Sequence, residues 1–266
     1  AQEAREGVRR TLMLIDSHAH LEMPPFDRDR GQVVRRAKEA GVEIIVTVGT
    51  TVEDCRKALE LTRRYPGVYA AIGIHPHEAK EIRDGTYDSI REMARHEKVV
   101  AYGEIGLDFF RNLSPRATQI RRFGEQLELA SELDLPIVIH DREAHSETVD
   151  LLKGWKGSRR GIIHCFSGDY AMAKQCIGLG FYISIPGTVT FEKNEKLRSI
   201  VRDLPLESLL VETDCPYLTP NPFRGRRNEP AYVVHTARKV AEIKGKPFEE
   251  VAAVTTANAK RIFDIP

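Results

Sequence analysis

Apolar and polar positions alternate along the chain in two regular ways. Short runs of three to seven apolar residues, rich in valine and isoleucine, are typical of buried strands. They predict strands over residues 12–15, 44–48, 68–74, 99–105, 136–139, 161–163, 181–185 and 209–212. Between them, apolar residues recur every three or four positions, which predicts helices over 30–40, 52–65, 87–96, 116–133, 143–152, 171–179, 194–202, 231–243 and 247–256.

Each predicted strand precedes a predicted helix, and this order indicates the fold class. Parallel strands need helical crossovers, and eight strand–helix units over about 250 residues are typical of an α/β protein with a closed (β/α)8 TIM barrel. An open, doubly wound sheet is the alternative. We expect a single domain over residues 12–266. Residues 1–11 are polar and lack an initiating methionine, so we expect an N-terminal extension that is disordered or left over from expression.

The composition narrows the class of protein. Of the 266 residues, 41% are hydrophobic and 30% are charged, as in an ordinary globular protein. The 40 lysines and arginines nearly balance the 39 acidic residues, so a polyanion would have to bind a local patch or bound metal. Four scattered cysteines without a C-x-x-C pair favour a reducing, cytoplasmic location. No apolar run is long enough to span a membrane, and no obligate protein partner is evident.

Metal-binding residue types collect where the predicted strands end. Because the active sites of TIM barrels lie at the carboxyl ends of the strands, these side chains are expected to meet at one rim. The chain has nine histidines, and five of them belong to this set. The set is His18, His20, His75, Glu104, His140, His164 and Asp214.

Imidazole and carboxylate ligands in this number suit two divalent ions, with Mg, Mn or Zn as candidates. The predicted partition places His18, His20 and Asp214 on one ion and His140 and His164 on the other, with Glu104 between them. Two such ions can activate water and stabilise a phosphoryl transition state, so hydrolysis is the predicted reaction class. Singly, each residue has an ordinary alternative, such as a histidine hydrogen-bonded at a strand end, a turn residue or a helix cap.

Cationic and aromatic residues near the same rim are candidates for binding an anionic substrate. Arg142 follows His140 by two residues, and Arg224 begins the loop 224–227, whose guanidinium groups suit phosphate oxygens. A solvated charged loop is the alternative. The rim aromatic residues, which are suited to stacking or to core packing, are Phe109, Phe110, Phe191 and Phe223.

Residues beside the proposed ligands receive secondary roles. Glu212 and Asp16 are expected to orient a ligand or to form internal hydrogen bonds. His77 is expected at the surface because Pro76 interrupts the strand before it. Cys165 and Cys215 are expected to point away from the site and pack as small apolar residues.

Together these segments resemble the TatD family of metal-dependent hydrolases, within the wider amidohydrolase-type barrels. The resemblance rests on Asp16-Ser17-His18-Ala19-His20-Leu21, Gly73-Ile74-His75-Pro76, Gly103-Glu104-Ile105-Gly106-Leu107-Asp108, Ile137-Val138-Ile139-His140, His164-Cys165-Phe166-Ser167-Gly168 and Glu212-Thr213-Asp214-Cys215-Pro216-Tyr217-Leu218, followed by Arg224-Gly225 and Asn228-Glu229-Pro230. It implies the same six metal ligands and a substrate-pocket position for His75. Two departures are Asp141-Arg142-Glu143, where Thr-Arg-Asp is frequent, and Phe109-Phe110, where a tyrosine is common.

The resemblance implies a Mg- or Mn-supported deoxyribonuclease, and some members of the family shorten single-stranded DNA from the 3′ end. We therefore predict a hydrolase that cleaves DNA or another phosphodiester. Asp214 would act as the base and Glu104 would lie between the ions. His75, Arg142 and Arg224 would bind the substrate. The alternatives are an amidohydrolase acting on an amide, lactone or ester of a small metabolite, and a metal-stabilised scaffold without activity.

Overall fold

The computed structural model describes residues 13–158 and 160–266 and contains one sheet of eight parallel strands in chain order. The strands are β1 (Leu14–Ala19), β2 (Val42–Val48), β3 (Val68–Ile72), β4 (Val99–Asp108), β5 (Ile137–Arg142), β6 (Gly161–Ile163), β7 (Tyr182–Ile185) and β8 (Leu209–Val211). The predicted extension, residues 1–11, and Leu12 at the start of the first predicted strand lie outside the described residues.

Helices connect the strands as the pattern predicts. They are α1 (Arg30–Glu39), α2 (Val52–Arg64), α3 (Thr86–Ala94), α4 (Arg116–Glu132), α5 (His145–Gly154), α6 (Tyr170–Gly178), α7 (Glu195–Asp203), α8 (Val233–Lys244) and α9 (Phe248–Phe263). The side chains of Thr51, Asp169 and Asn194 cap α2, α6 and α7 by accepting a backbone N–H three residues later. The last helix runs seven residues past its predicted end because Ala259 and Phe263 continue its buried face.

The sheet closes on itself next to the predicted metal ligands. Ala19 forms an isolated parallel bridge with Cys215. The His20 N–H donates to the Cys215 carbonyl at 2.8 Å, and the Asp214 N–H donates to the His18 carbonyl at 2.9 Å. This closure of the sheet confirms the predicted TIM barrel and contradicts the alternative of an open, doubly wound sheet. It also brings residues almost 200 positions apart into one site.

Two apolar cores fix the barrel. The larger core lies between strands and helices and includes Phe123, Phe181 and Tyr102. The smaller core takes alternate residues of the strands and is covered by the C-terminal Phe263 and Ile265. Its strand residues include Ile15, Val46, Ala71, Val138, Ile162 and Leu210. This second core fills the barrel below the site, so the polar side chains are confined to the carboxyl end of the strands.

Strands β4 and β5 are longer than predicted, and they form a two-stranded ribbon above the rim. Beyond the pair Ile105↔Ile139, they continue through three pairs, ending at Asp108↔Arg142. The neighbouring strands end earlier, since β6 stops opposite Ile139 and β3 opposite Tyr102. The prediction ended both strands too early because the paired backbone, rather than an apolar run, extends them.

The register between β4 and β5 shifts at Glu104. Gly103 pairs with Val138 and Ile105 with Ile139, so Glu104 is an extra residue, as in a β-bulge, which redirects a side chain. The flanking glycines permit this close approach. A Cβ on Gly106, whose φ is +141°, would lie 2.0 Å from the His140 carbonyl oxygen. The Gly-Glu-Ile-Gly motif therefore directs one carboxylate into the centre of the rim.

Candidate metal centre and substrate cavity

The buried carboxylate of Glu104 is the centre of the site. Its Oε1 lies 2.6 Å from His140 Nδ1, 3.0 Å from His164 Nε2 and 3.4 Å from His75 Nε2. Its Oε2 lies 3.4 Å from His18 Nε2 and 3.8 Å from His20 Nε2. Oε2 thus faces His18 of β1 and His20 just after it, whereas Oε1 faces His140 of β5 and the histidines that follow β3 and β6.

A second group forms on the β1 side of the site. The Nε2 atoms of His18 and His20 lie 3.2 Å apart. Asp214 Oδ1 lies 3.5 Å from His20 Nε2 and 3.8 Å from His18 Nε2. The backbone of Asp214 has φ +55°, a left-handed conformation that the barrel closure holds in place. The structure therefore brings all six predicted ligands together around Glu104, and His18, His20 and Asp214 form one group, as predicted. The pairing of His140 with His164 stays a prediction, because His164 also groups with His18 and His140 with His75.

Hydrogen bonds outside the centre fix the tautomers of three of these histidines. His20 Nδ1 lies 2.9 Å from the Val48 carbonyl, which only accepts, so Nδ1 carries the proton and Nε2 presents a lone pair. In the same way, His164 Nδ1 donates to Glu212 Oε1 at 3.2 Å. His140 Nε2 donates to Asp108 Oδ2 at 3.2 Å, which leaves Nδ1 facing Glu104. Metal-binding histidines in proteins are oriented in this way.

The arrangement fits divalent cations because electron-pair donors face one another. Ligand atoms of three subsets lie within 4.8 Å of one another, namely His18, Glu104 and His164; His18, His20 and Asp214; and His75, Glu104 and His140. Burial alone would raise the pKa of Glu104, but His164 and the hydrogen bond from His140 hold it well below its usual value, so the group is a carboxylate at neutral pH. A buried anion among ring lone pairs is what a divalent ion requires.

The centre opens into a cavity of about 770 Å³ at the carboxyl end of the barrel. Three cationic side chains from different segments line it: Arg111 after β4, Arg142 at the end of β5 and Lys196 on α7. His75 also lines the cavity, and burial lowers its pKa to about 4, so its imidazole is neutral. A volume of this size is typical of small-ligand pockets.

In the arginine loop after β8, residues 224–227, Arg224 and Arg227 contact other parts of the protein rather than the cavity. Arg224 is not among the residues that line the cavity, and its guanidinium lies 4.4 Å from the centroid of the Phe191 ring. Arg227 forms an ion pair with Asp29 at 2.7 Å, and Asp29 also pairs with Arg36 of α1. The loop therefore ties the β8–α8 connection to α1, and a substrate contact by Arg224 stays a prediction.

Two minor predictions are wrong. His77 is not a surface residue: its Nε2 lies 2.7 Å from the buried Asp108 Oδ2, and its side chain lines the cavity. The short 3-10 helix that begins at Pro76 turns His77 back towards the ribbon. Cys165 does not point away, because its φ of +45° breaks the strand alternation and brings it to the cavity. Cys215 is fully buried, as expected.

Several residues that shape the site had no recognised sequence signal. Asp108 follows Glu104 by four residues on the extended strand and joins His77 to His140. On the buried face of α4, Gln126 bonds both backbone groups of Ile74, and Gln119 bonds the N–H and carbonyl of Asp108. The signal that was available is that two glutamines seven positions apart lie on the apolar stripe of α4.

Comparison with known protein families agrees with this geometry. The family described as TatD related DNase matches residues 15–264 of the chain. The chain belongs to this family. The match confirms the resemblance inferred from the motifs, and it covers every strand and helix apart from Leu14, the first residue of β1.

Individual TatD relatives cover nearly the whole chain. A Bacillus subtilis protein named uncharacterized metal-dependent hydrolase YabD is 46% identical over 255 residues, which is 95% of this chain and all of that protein. A Salmonella typhimurium protein named 3′-5′ ssDNA/RNA exonuclease TatD is 40% identical over 259 residues, 95% of this chain and 99% of that protein. The crystal structure of YJJV, a TatD homologue from Escherichia coli, has a TM-score of 0.92 at 34% identity and covers 96% of this chain and 100% of its own. This TatD protein is thus a metal-dependent hydrolase.

Proposed function

We propose that this protein is a nuclease that removes nucleotides from the 3′ end of single-stranded nucleic acid with the help of two divalent ions. The observation that carries the proposal is the set of ligand groups around Glu104, which open into a cavity whose wall includes three cationic side chains. The names of the exonuclease relatives support the substrate class and the polarity. Within the described residues, no helix is long and apolar enough to span a membrane.

The ligand assignment keeps the predicted partition. His18, His20 and Asp214 would hold one ion, and their grouping supports this half of the assignment. His140 and His164 would hold the other, since both lie within 3.0 Å of Glu104 Oε1, and Glu104 would lie between the ions. Mg, Mn and Zn all suit ligands of this kind, and availability selects among them. Bound ions of this class activate water and neutralise charge on phosphoryl oxygens.

The remaining site residues handle the proton and the phosphate. Asp214 lines the cavity beside the first ligand group, and there it accepts the proton of the attacking water. His75 Nδ1 accepts the His77 N–H at 3.1 Å, so in the neutral ring the proton is on Nε2, which lies 3.4 Å from Glu104 Oε1. That N–H would donate to a phosphate oxygen bound beside Glu104. Arg142 lies at the cavity wall, where its charge would attract the substrate strand beyond the cleaved phosphate. Arg224 lies outside the cavity lining, so its predicted substrate contact would be to a part of the strand farther from the cleaved phosphate.

An amidohydrolase activity on a small metabolite is the less favoured alternative, because relatives that are 40% and 38% identical over nearly the whole chain are named as exonucleases. A screen of oligonucleotides beside a panel of esters, lactones and amides separates the two activities. Hydrolysis confined to the panel would overturn the nuclease proposal. We also propose a reducing, cytoplasmic location, which the four unpaired cysteines support.

The base assignment is tested with the substitution Asp214→Asn. We expect turnover of a 5′-labelled single-stranded oligonucleotide in Mn²⁺ or Mg²⁺ to fall by at least about 100-fold, since general bases contribute about that much. The wild-type protein should give a ladder of products shortened from the 3′ end. Asp150→Asn, on the exposed face of α5, is the matched control and should keep full turnover. Wild-type turnover by Asp214→Asn would exclude Asp214 as the base.

A further inference from the structure

The β4–β5 ribbon carries side chains of the site at two heights above the barrel, at His140 and, two residues later, at Arg142. Residues two apart on a strand point to the same side, and both His140 and Arg142 line the cavity. The rise of a parallel strand places them about 6.6 Å apart along the ribbon. That separation is close to the spacing of adjacent phosphates in an extended nucleic-acid strand. A phosphate held at the level of His140 would thus place its neighbour at the level of Arg142.

The ribbon tip is built to hold Arg142 in place. Its guanidinium carbon lies 4.2 Å from the centroid of the Phe110 ring, and Phe110 is 59% exposed. The ring fixes the plane of the guanidinium while its N–H groups stay available. Phe109 N–H donates to the Arg142 carbonyl at 2.9 Å, so the turn that carries Phe110 is tied directly to Arg142.

The cations at the ribbon tip lack carboxylate partners. Arg91, Arg122 and Arg227 each form an ion pair with an acidic side chain at 3.0 Å or less. In the ranges 13–158 and 160–266, no ion pair is recorded for Arg111 or Arg142, and both line the cavity. The Arg111 N–H donates to Asp108 Oδ1 at 2.7 Å, which anchors its backbone to the ribbon. Two unpaired guanidinium groups on one wall favour an anion with more than one phosphate.

We propose that Phe110, Arg111 and Arg142 form a binding subsite for the nucleotide adjacent to the phosphodiester that is cleaved, on an unpaired strand. The inference rests on the proposed nuclease function and adds the position and the residues of the neighbouring phosphate. Arg142 binds that phosphate, and Phe110 is a positioning residue that keeps the guanidinium in place. A cavity of about 770 Å³ lies within the range of small-ligand pockets, which suits the end of a single strand.

Two substrates separate this subsite from the metal centre. A short labelled single-stranded oligonucleotide offers neighbouring phosphates, whereas bis-p-nitrophenyl phosphate has a single phosphodiester. Both are assayed at one fixed, low Mn²⁺ concentration. For Arg142→Ala we expect kcat/KM to fall about tenfold on the oligonucleotide, as for the loss of a charge-assisted hydrogen bond. On the small diester it should stay within about twofold of the wild-type value.

The salt dependence of kcat/KM tests the contact between Arg142 and the phosphate directly. Each contact between a protein cation and a single strand contributes about 0.7 to the slope of log affinity against log salt concentration. We expect Arg142→Ala to make the slope of log kcat/KM on the oligonucleotide shallower by about 0.7, and Arg142→Lys to restore it. Phe110→Ala should lower kcat/KM about threefold without changing the slope, because the charge remains.

The matched control is Arg116→Ala. Arg116 is exposed and stacks on Phe109 at 4.5 Å in the same connection, but it does not line the cavity, so both substrates and the slope should stay unchanged. An unchanged slope for Arg142→Ala, or equal losses on the two substrates, would overturn the subsite while leaving the nuclease function intact. A wild-type protein that hydrolyses neither substrate with any divalent ion would overturn the proposed function and the subsite together.

Discussion

Gln126 joins α4 to the segment that carries His75, and its replacement by leucine gives a sharp test of that connection. The side chain is almost fully buried. Its Oε1 accepts the Ile74 N–H at 2.9 Å, and its Nε2 donates to the Ile74 carbonyl at 3.0 Å. The hydroxyl of the buried Tyr102 also donates to Oε1 at 3.3 Å. Gln126→Leu keeps the volume but removes every one of these partners.

The expected loss of stability follows from those contacts. A buried polar group left without a partner costs about 1–3 kcal/mol, and three such groups remain after the substitution. At about 1.5 kcal/mol each, the total cost is about 4–5 kcal/mol. The apolar leucine offsets about 1–2 kcal/mol of this cost. We therefore expect the free energy of unfolding to fall by about 2–4 kcal/mol. In a domain of this size, that loss corresponds to a melting temperature about 5–12 °C lower.

Urea unfolding and thermal melts in EDTA buffer measure this effect without the contribution of bound metal. The matched control is Gln175→Leu on the exposed side of α6, which should change stability by no more than about 0.5 kcal/mol. His75 follows Ile74 directly, so kcat/KM on an oligonucleotide should fall as well, at temperatures where the variant is folded. If Gln126→Leu melts within about 1 °C of the wild-type protein, the reasoning from buried partners is refuted.

Two further predictions concern the metal site and pH. If two ions bind, His18→Ala should lose one of them first, so metal analysis after dialysis should give about one ion per chain where the wild-type protein holds two. The hydrogen bond from Arg227, with a further one from Arg36, lowers the pKa of Asp29 to about 2 despite some burial. Because this pKa is depressed on folding, the stabilisation is complete above about pH 5 and declines as pH falls from about 4 towards 2. After solvent screening, the wild-type protein should be more stable than Asp29→Asn by about 1 kcal/mol at pH 7. Urea titrations repeated down to pH 3 should show this difference in unfolding free energy shrinking. A difference that stays constant with pH would refute the assignment.

The sequence could indicate the six candidate ligands because of one topological rule. In a parallel barrel every strand ends at the same rim, so His18, His140 and Asp214 had to meet once the strands were assigned. The partition of these ligands between two ions stays a prediction, because the structure groups His164 with His18 and His140 with His75 around Glu104. The tautomers did not follow, since they depend on acceptors such as the Val48 carbonyl that only the barrel brings near.

The incorrect predictions share a physical cause. His77 and Cys165 were assigned by strand alternation, which fails where the backbone leaves the strand, at a 3-10 turn after Pro76 and at a left-handed residue. The ribbon was missed because Gly106 interrupts its apolar pattern although the backbone pairing continues. The local sequence pattern indicates which residues are buried. The backbone turns and the ribbon depend instead on contacts between distant segments.

The alternation of apolar runs and amphipathic stretches by itself favoured a barrel of eight strand–helix units, since burial and parallel pairing leave few other solutions. The residue types at the strand ends added the prediction of a metal-binding rim. Tertiary structure alone decided how that rim works. The shifted register at Glu104 aims one carboxylate between two groups of ligands, and the ribbon raises Arg142 one level above His140. Both features depend on the register between β4 and β5 and on how far their pairing extends. Packing and hydrogen bonds across the sheet set this register and length, and neither has a local sequence signature.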